Sequence, residues 1–168
     1  MPSSPPLAIK ASNLLLIALQ ANFMLSNLAV ERVYCHAPIT AKDETFLLHA
    51  TYEFGTKHNP LFMQRPGWMV AATCASAYGF LPFNMIIAAT AALDAWNNRM
   101  LGTLSVLFCG AKLYAFSFHH YMELTSASSP PDLLVYFGME VPYVISVLGV
   151  LYKVATAGGA ERGRAKTS

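Results

Sequence analysis

Four long apolar runs alternate with shorter polar stretches along the 168 residues of the chain. The runs occupy about residues 7–30, 67–93, 100–118 and 133–151, and each contains at most one charged side chain. A helix needs about 20 apolar residues to cross a bilayer core of about 30 Å, and each run approaches or exceeds that length. The pattern therefore predicts an all-α integral membrane protein built as a four-helix bundle.

The second run is the clearest of the four, because no charged residue interrupts it between Gly67 and Leu93. Trp68 stands at its start and Pro82 lies in its interior. A proline destabilises the interior of a soluble helix, but a membrane bundle tolerates it because neighbouring helices can satisfy the freed carbonyl group. We expect one transmembrane helix here, tilted or kinked.

Composition narrows the class of protein further. Hydrophobic residues make up 55% of the chain and charged residues 12%, which is unlike an ordinary soluble domain. The net charge of +2, without a basic stripe interleaved with aromatic residues, gives no sign of a nucleic-acid partner. The cysteines Cys35, Cys74 and Cys109 suggest neither a disulfide framework nor a metal site. We expect no cofactor.

The polar stretch between the first two runs contains one helix signal. Thr40, followed three residues later by Asp43, resembles a capping box and predicts a helix over residues 41–54. This helix would have one apolar and one polar face. We expect it to lie along the membrane surface.

The other connections set the domain organisation and the topology. Residues 119–132 are predicted to be a loop, and the basic residues 154–168 a disordered tail, so that residues 1–153 form one membrane domain. Four spans place both termini on one side of the membrane. A modest excess of Lys and Arg on that side favours cytosolic termini.

Six short motifs follow one another in a characteristic order. They are Tyr52-Glu53-Phe54, Asn59-Pro60-Leu61, Pro66-Gly67-Trp68, Leu81-Pro82-Phe83, Trp96 and Val141-Pro142-Tyr143. Together they resemble the sigma-2 receptor group of the EXPERA superfamily, which also contains the emopamil-binding protein sterol isomerases. The resemblance implies a four-helix membrane bundle, usually in the endoplasmic reticulum, with a pocket for sterols or hydrophobic amines.

The resemblance carries over unevenly to single residues. Members of the sigma-2 group hold cationic ligands through two acidic positions. The first matches Glu31, allowing a shift of one residue, whereas the second falls on the neutral Asn59. The resemblance thus implies a ligand contact at Glu31 and weaker recognition of amines at Asn59. The histidine and glutamates of the isomerase branch have no clear match in this chain.

Two further charges lie inside the predicted spans. Lys112 is six residues before the predicted end of the third span and Glu140 seven residues after the start of the fourth, so both would lie about 10 Å from the same face. Charges at such depth are costly and usually pair or line a wet cavity. We expect Lys112 and Glu140 to pair, either as a lock between two helices or as part of a site.

The remaining polar and aromatic candidates belong to the same, lumenal half of the bundle. The candidate catalytic residues are Glu31, Lys112 and Glu140, and the candidate ligand-binding residues are Glu31, Asn59, Trp68, Tyr114, His119 and Tyr143. Four of these residues have a plainer alternative: Glu31 as a solvated interfacial charge, Trp68 as an interface anchor, His119 as part of an ordinary interface cluster, and Tyr114 as packing. No spacing of His, Cys, Asp or Glu favours a metal.

Two functions of different class follow from these features. In the first, the protein binds a sterol or another hydrophobic small molecule and serves lipid binding or trafficking without changing its ligand. In the second, it is a membrane-embedded isomerase or cyclase that protonates an alkene of a sterol or terpenoid and stabilises the cation with aromatic faces. The expected partners are this small molecule and the lipid bilayer, and a homodimer is left open.

Overall fold

The computed structural model describes the backbone of residues 10–165 and the side-chain surroundings of residues 10–157. Within this range every regular element is helical. The helices are α1 (Ala11–His36), α2 (Phe46–His58), α3 (Pro60–Gln64), α4 (Gly67–Ala92), α5 (Arg99–Leu124) and α6 (Leu133–Ala165).

Four of these helices are long and apolar enough to cross a membrane, namely α1, α4, α5 and the Leu133–Ala157 part of α6. Large apolar side chains cover their outer faces; Leu107 is 64% exposed and Leu134 is 85% exposed. Polar side chains such as Gln20 and Asn84 are instead fully buried between the helices. This distribution suits a bundle whose surroundings are lipid, and it confirms the predicted all-α membrane fold with four spans.

Three spans end later along the chain than the sequence predicted, and two of them, α1 and α5, bear on the polar residues at their ends. Helix α1 continues beyond residue 30 to His36, and α5 continues beyond residue 118 to Leu124. Both predictions stopped too early because they ended each span at a polar residue. Glu31 and His119 are therefore helical residues with partners inside the protein, and residues 119–124 are not part of a loop.

The polar segment after α1 also differs from its prediction. The backbone N–H of Thr40 donates to Asp43 Oδ2 at 2.6 Å, but this contact closes a turn, and the helix begins only at Phe46. Leu48 of this helix packs against Tyr34, near the end of α1, and Met69, near the start of α4. These contacts hold the segment against the two spans. The location of α2 along a membrane surface stays a prediction.

Arg65 fixes the junction between α1 and α4. Its backbone is left-handed, with φ of 55°, and ends α3. Its guanidinium group donates to the carbonyl oxygen of Tyr34 at 2.8 Å and to that of Cys35 at 3.1 Å. These carbonyl groups belong to the last turn of α1, where a helix lacks internal partners, so Arg65 caps that end.

A disulfide bond joins Cys35 at the end of α1 to Cys74 in α4, with their Cα atoms 5.0 Å apart. The expectation that the cysteines form no disulfide was wrong. The two residues are 39 positions apart, and only the packing of α1 against α4 brings them together. Cys109 is free and buried.

At the opposite end of the bundle, Asp94 joins the start of α1 to the end of α4. Lys10 Nζ lies 2.8 Å from Asp94 Oδ2, and Asn13 Nδ2 donates to Asp94 Oδ1 at 2.8 Å. The hydrogen bonds from Lys10 and Asn13 hold the pKa of Asp94 below its usual value. Trp96 is buried there, and its indole N–H donates to Asn13 Oδ1 at 3.3 Å.

The last residues of the chain extend α6. Helix α6 continues as far as Ala165, through most of the segment predicted to be a disordered tail. Residues 166–168 of that segment, and residues 7–9 of the first predicted span, lie outside the described residues.

The disulfide can be tested by differential alkylation. We expect Cys35 and Cys74 to react with iodoacetamide in the denatured protein only after reduction, because their sulfur atoms are bonded to each other. Cys109 should react in the denatured protein without a reductant and serves as the internal control. Mass spectrometry of the labelled peptides gives the result, and labelling of Cys35 or Cys74 in unreduced protein would contradict the bond.

Candidate functional site

Ionisable and aromatic side chains follow one stripe along each of two neighbouring helices. On both helices they recur at intervals of three and four residues. The members are Lys112, Phe116, His119 and Glu123 on α5, and Tyr136, Glu140 and Tyr143 on α6. Residues with this spacing share one helix face. We call this stripe pair the α5–α6 seam. It extends about 16 Å along α5.

One end of the seam, which we call the outer end, lies where α5 ends and α6 begins. It is built around Glu123, whose side chain is fully buried. Asn59 Nδ2 donates to Glu123 Oε1 at 2.7 Å, and the hydroxyl group of Tyr136 donates to Glu123 Oε2. His119 Nε2 lies 3.3 Å from Glu123 Oε1. Three donors therefore converge on one carboxylate, as a buried charge requires.

Tyr136 connects this carboxylate to a second histidine. Its hydroxyl oxygen lies 2.6 Å from His120 Nδ1. Because the hydroxyl proton is directed to Glu123, the network assigns the Nδ1 proton to a neutral His120, which donates to the tyrosine oxygen. The Nε2 atom of His120 is then an unprotonated acceptor, and it is buried without a hydrogen-bond partner. Carboxylate, phenol and imidazole form one continuous chain of hydrogen bonds.

Glu140 is the remaining carboxyl group of the seam. It lies one helical turn after Tyr136, and its side chain is half-buried. In the part of the chain that the structure describes, it has no hydrogen-bond partner. Glu123 is occupied by three donors, so Glu140 is the seam carboxyl group that remains available to another molecule.

The inner end of the seam is built around Lys112, which is 8% exposed. Its ammonium nitrogen lies 4.0 Å from the ring centre of Phe23, 5.0 Å from that of Tyr143 and 5.2 Å from that of Phe108. A desolvated cation–π contact can stabilise a protein by about 2 kcal/mol. The rings of Phe23 and Tyr143 also stack on each other, with centres 4.4 Å apart.

Two asparagines connect Lys112 to Glu31. Lys112 Nζ donates to Asn84 Oδ1 at 3.4 Å, Asn84 Nδ2 to Asn27 Oδ1 at 2.9 Å, and Asn27 Nδ2 to Glu31 Oε2 at 2.7 Å. We call this chain of hydrogen bonds the amide ladder. The ladder has a cation at one end and an anion at the other. Its members come from three different helices, so no single stretch of the sequence contains it.

Helices α1 and α4, which supply Asn27 and Asn84 to the amide ladder, each contain a short segment of wider helix. Residues Asn27–Glu31 of α1 and Ala75–Phe80 of α4 are π-helical, and the second segment comes directly before the helical turn that contains Pro82. The Asn27 amide also lies 3.3 Å from the carbonyl oxygen of Ser76, in the widened part of α4. Such π-helical turns occur frequently at functional sites.

The predicted pair of Lys112 and Glu140 is not formed. Because α5 extends to Leu124, Lys112 lies about 18 Å from that end of its helix, whereas Glu140 lies about 10 Å from the start of α6. The described residues contain no ion pair between the two. Lys112 is instead compensated by the aromatic cage and the amide ladder.

The structure divides the predicted site residues between the two ends of the seam. Asn59 and His119 contact Glu123, and Trp68 packs edge-on against His119, with ring centres 5.8 Å apart. Tyr143 contacts Lys112, and Glu31 reaches it through the amide ladder. Tyr114 is 74% exposed on the outer face of α5, so its predicted place in a ligand site is not supported.

Sequence reasoning missed several members of the network. They are Asn27, Asn84, His120, Glu123 and Tyr136. Extending the helical period of α5 from Lys112 by eleven residues would have identified Glu123. Nothing in the spacing of Asn27 and Asn84 predicts that they meet, because they lie on different helices.

No group of three or more His, Cys, Asp or Glu side chains suited to a metal ion occurs among the described residues. No protein-family model, curated protein or solved structure matches this chain.

The Glu123–Tyr136 hydrogen bond can be tested with a double-mutant cycle. We expect Glu123→Gln and Tyr136→Phe each to lower stability by about 1–3 kcal/mol, because each leaves a buried polar group unsatisfied. The double variant should lose at least about 0.5 kcal/mol less than the two single losses together, measured by thermal unfolding in detergent.

Tyr143→Phe is the matched control for this cycle. It removes the same hydroxyl group from the same helix, but the Tyr143 hydroxyl has no hydrogen-bond partner among the described side chains. Its effect should add to that of Glu123→Gln. If the stability loss of Tyr136→Phe also simply adds to that of Glu123→Gln, then Tyr136 and Glu123 do not interact.

Proposed function

We propose that this protein binds a sterol or a similar hydrophobic small molecule, including terpenoids, at the α5–α6 seam. The observation that carries the proposal is the seam itself: costly ionisable groups are concentrated along one interhelical line, while the outer surface is apolar. Ionisable side chains inside a membrane bundle usually mark a ligand or ion pathway. The seam length of about 16 Å matches an elongated, rigid lipid.

The chemistry of the seam supports a hydrophobic ligand. Phe116 lies between the polar groups at its two ends, and Val147 continues the apolar surface beyond Tyr143. Small-molecule sites are commonly lined in this way, since apolar contacts supply affinity and a few polar groups fix orientation. Lys112 and Glu140 are the polar groups best placed for that second role.

We also propose, from the order of the six motifs, that the protein belongs to the EXPERA superfamily and has a role in lipid binding or trafficking. The all-helical four-span fold is compatible with it. Amine recognition at the position of Asn59 is disfavoured in this chain. The nearby acid, Glu123, already accepts hydrogen bonds from Asn59, His119 and Tyr136, and Asn59→Asp would set two carboxyl groups against each other.

The second candidate function is acid–base isomerisation or cyclisation of a sterol or terpenoid. It is favoured by the unpartnered carboxyl group of Glu140 and by the unprotonated Nε2 of His120. In such a reaction a carboxylic acid adds a proton to one alkene carbon, and a base removes a proton from a neighbouring carbon of the cation. Aromatic faces along the seam would stabilise the cation between these steps.

Ligand binding and catalysis can be separated with purified protein in nanodiscs. We expect photoreactive sterol and terpenoid probes to label peptides of α5 and α6 saturably. If the protein is only a binder, chromatography coupled to mass spectrometry will show unchanged ligand. If it is an isomerase, a product of identical mass will form, and Glu140→Gln will slow its formation by about tenfold or more, which corresponds to about 1.4 kcal/mol.

Glu53→Gln is the matched control for Glu140→Gln. Glu53 is a surface residue of α2 that pairs with Lys57 at 2.9 Å, so its replacement should leave binding and turnover unchanged. Failure of all probes to label α5 or α6 in folded protein would refute the proposed function.

We further propose that the termini are cytosolic and that the protein resides in the endoplasmic reticulum. The Cys35–Cys74 bond supports this orientation, since disulfides persist in oxidising compartments such as the lumen. The bond lies at the end of α1 that is opposite the chain start.

Orientation can be tested with an epitope tag placed after Ser168 in sealed microsomes. External protease should remove the tag, because four spans return the chain to the side of its start. A tag placed between Ala41 and Lys42, on the opposite side, should be protected and serves as the control. Protection of the tag after Ser168 would contradict the orientation.

A further inference from the structure

We propose that the outer face of α5 is the contact surface of a homodimer, in which the α5 helices of two copies pack side by side in the membrane. We call this face the outer stripe. Its seven members are Thr103, Leu107, Gly110, Tyr114, Ser117, Tyr121 and Leu124. This inference goes beyond the proposed function and does not depend on it.

The outer stripe follows a regular spacing along α5. Its members succeed one another at alternating intervals of four and three residues, so the pattern repeats every seven residues. All of them are exposed; Leu107 is 64% exposed, Tyr114 74% and Tyr121 65%. A seven-residue repeat keeps one face of a helix against a partner helix when the two cross at about 20° in a left-handed pair.

Hydroxyl groups are the unusual feature of this stripe. Thr103, Tyr114, Ser117 and Tyr121 each carry one. None of these four hydroxyl groups has a hydrogen-bond partner among the described residues. Tyr114 and Ser117 lie at least about 10 Å from either end of α5, where lipid tails offer neither a donor nor an acceptor. A neighbouring helix can satisfy such groups, and hydrogen bonds between helices stabilise membrane bundles.

Gly110 gives a second, independent indication of a partner. A glycine inside a helix is destabilising relative to alanine. Gly102 and Gly149 permit close packing within the bundle, because a methyl group added to them would lie 3.5 Å from Val154 and 3.0 Å from Leu16. A methyl group added to Gly110 would meet no other part of the described chain within 4 Å. Small residues of this kind let the backbones of two membrane helices approach closely.

A second copy of this chain is the partner that the outer stripe fits. Two copies with the same orientation in the membrane are related by a two-fold axis along the membrane normal, so each stripe residue faces its own equivalent. A hydroxyl group both donates and accepts, so it can pair with the same group of the other copy. With about 200 Å² for each tyrosine side chain, the two copies would bury roughly 1,000 Å² in total, enough for a small specific interface.

The outer stripe faces away from the α5–α6 seam. Tyr114 is two positions from Lys112 and two from Phe116, which places it about 200° around the helix from each. Tyr121 has the same offset from the seam residues on either side of it. A homodimer formed through the outer stripe therefore leaves the seam uncovered.

Oxidative cross-linking tests the contact in the full-length protein reconstituted in liposomes. A Cys109→Ser background leaves only the bonded cysteines Cys35 and Cys74. One new cysteine is then introduced by Leu107→Cys or by the control Leu148→Cys; these leucines, on α5 and α6, are 64% and 61% exposed. We expect several-fold more covalent dimer from Leu107→Cys on a non-reducing gel, because a stripe residue faces its own equivalent.

The strength of association gives a second test, measured by resonance energy transfer between labelled copies in liposomes. Gly110→Leu should raise the dissociation constant about tenfold, which corresponds to about 1.4 kcal/mol, because it separates the two backbones. Gly138→Leu is the matched control on α6, since an added side chain there also meets open space. Tyr114→Phe should raise the dissociation constant about threefold by removing one hydroxyl group.

The outcomes bear on this inference separately from ligand binding. Equal cross-linking of Leu107→Cys and Leu148→Cys would overturn it, as would equal effects of Gly110→Leu and Gly138→Leu on association. A single photobleaching step per particle at every ratio of protein to lipid would also overturn it, because the protein would then be a monomer. None of these results would change the labelling of α5 and α6 by sterol or terpenoid probes, which tests the proposed function.

Discussion

A lysine ammonium group at the centre of a membrane bundle must be compensated by the protein, because neither lipid tails nor bulk water can do so. Lys112 meets this constraint with groups from all four spans. Phe23 comes from α1, Asn84 from α4, Phe108 from α5 itself and Tyr143 from α6. A single charge therefore contacts side chains of every span, and the amide ladder extends this network to Glu31.

The two ends of the bundle are held by different means. At the end that contains the disulfide, Arg65 caps α1 and Cys35 joins it covalently to Cys74 in α4. At the other end, Asp94 connects the start of α1 to the end of α4 through Lys10 and Asn13. Helices α1 and α4 thus form a fixed pair. Among the described residues, the hydrogen bonds across the α5–α6 seam are only those of Tyr136 with Glu123 and His120, so this pair of helices is joined less firmly than α1 and α4.

The seam combines two chemically different ends. Around Glu123, every carboxylate oxygen has a donor, and such a satisfied network mainly holds its members in place. Around Lys112, donors exceed acceptors among the described residues, and the side chain borders a small, almost wholly apolar cavity. Glu140, between the two, has a carboxyl group without a partner in the described structure. A ligand that spans the seam would meet one fixed end and one end with unused hydrogen-bonding capacity.

The sequence alone determined the fold class and the number of spans, because a run of apolar residues long enough to cross a bilayer has few alternatives to a transmembrane helix. It also identified Lys112 and Glu140 as unusual, since charge inside such a run is costly. It did not determine partners. Lys112 was assigned to Glu140 by depth, yet the length of α5 and the rotation of the helices direct it to Asn84 and Phe23. Cys35 and Cys74, like Asn27 and Asn84, meet through packing between helices distant in sequence, which hydropathy along one chain does not encode.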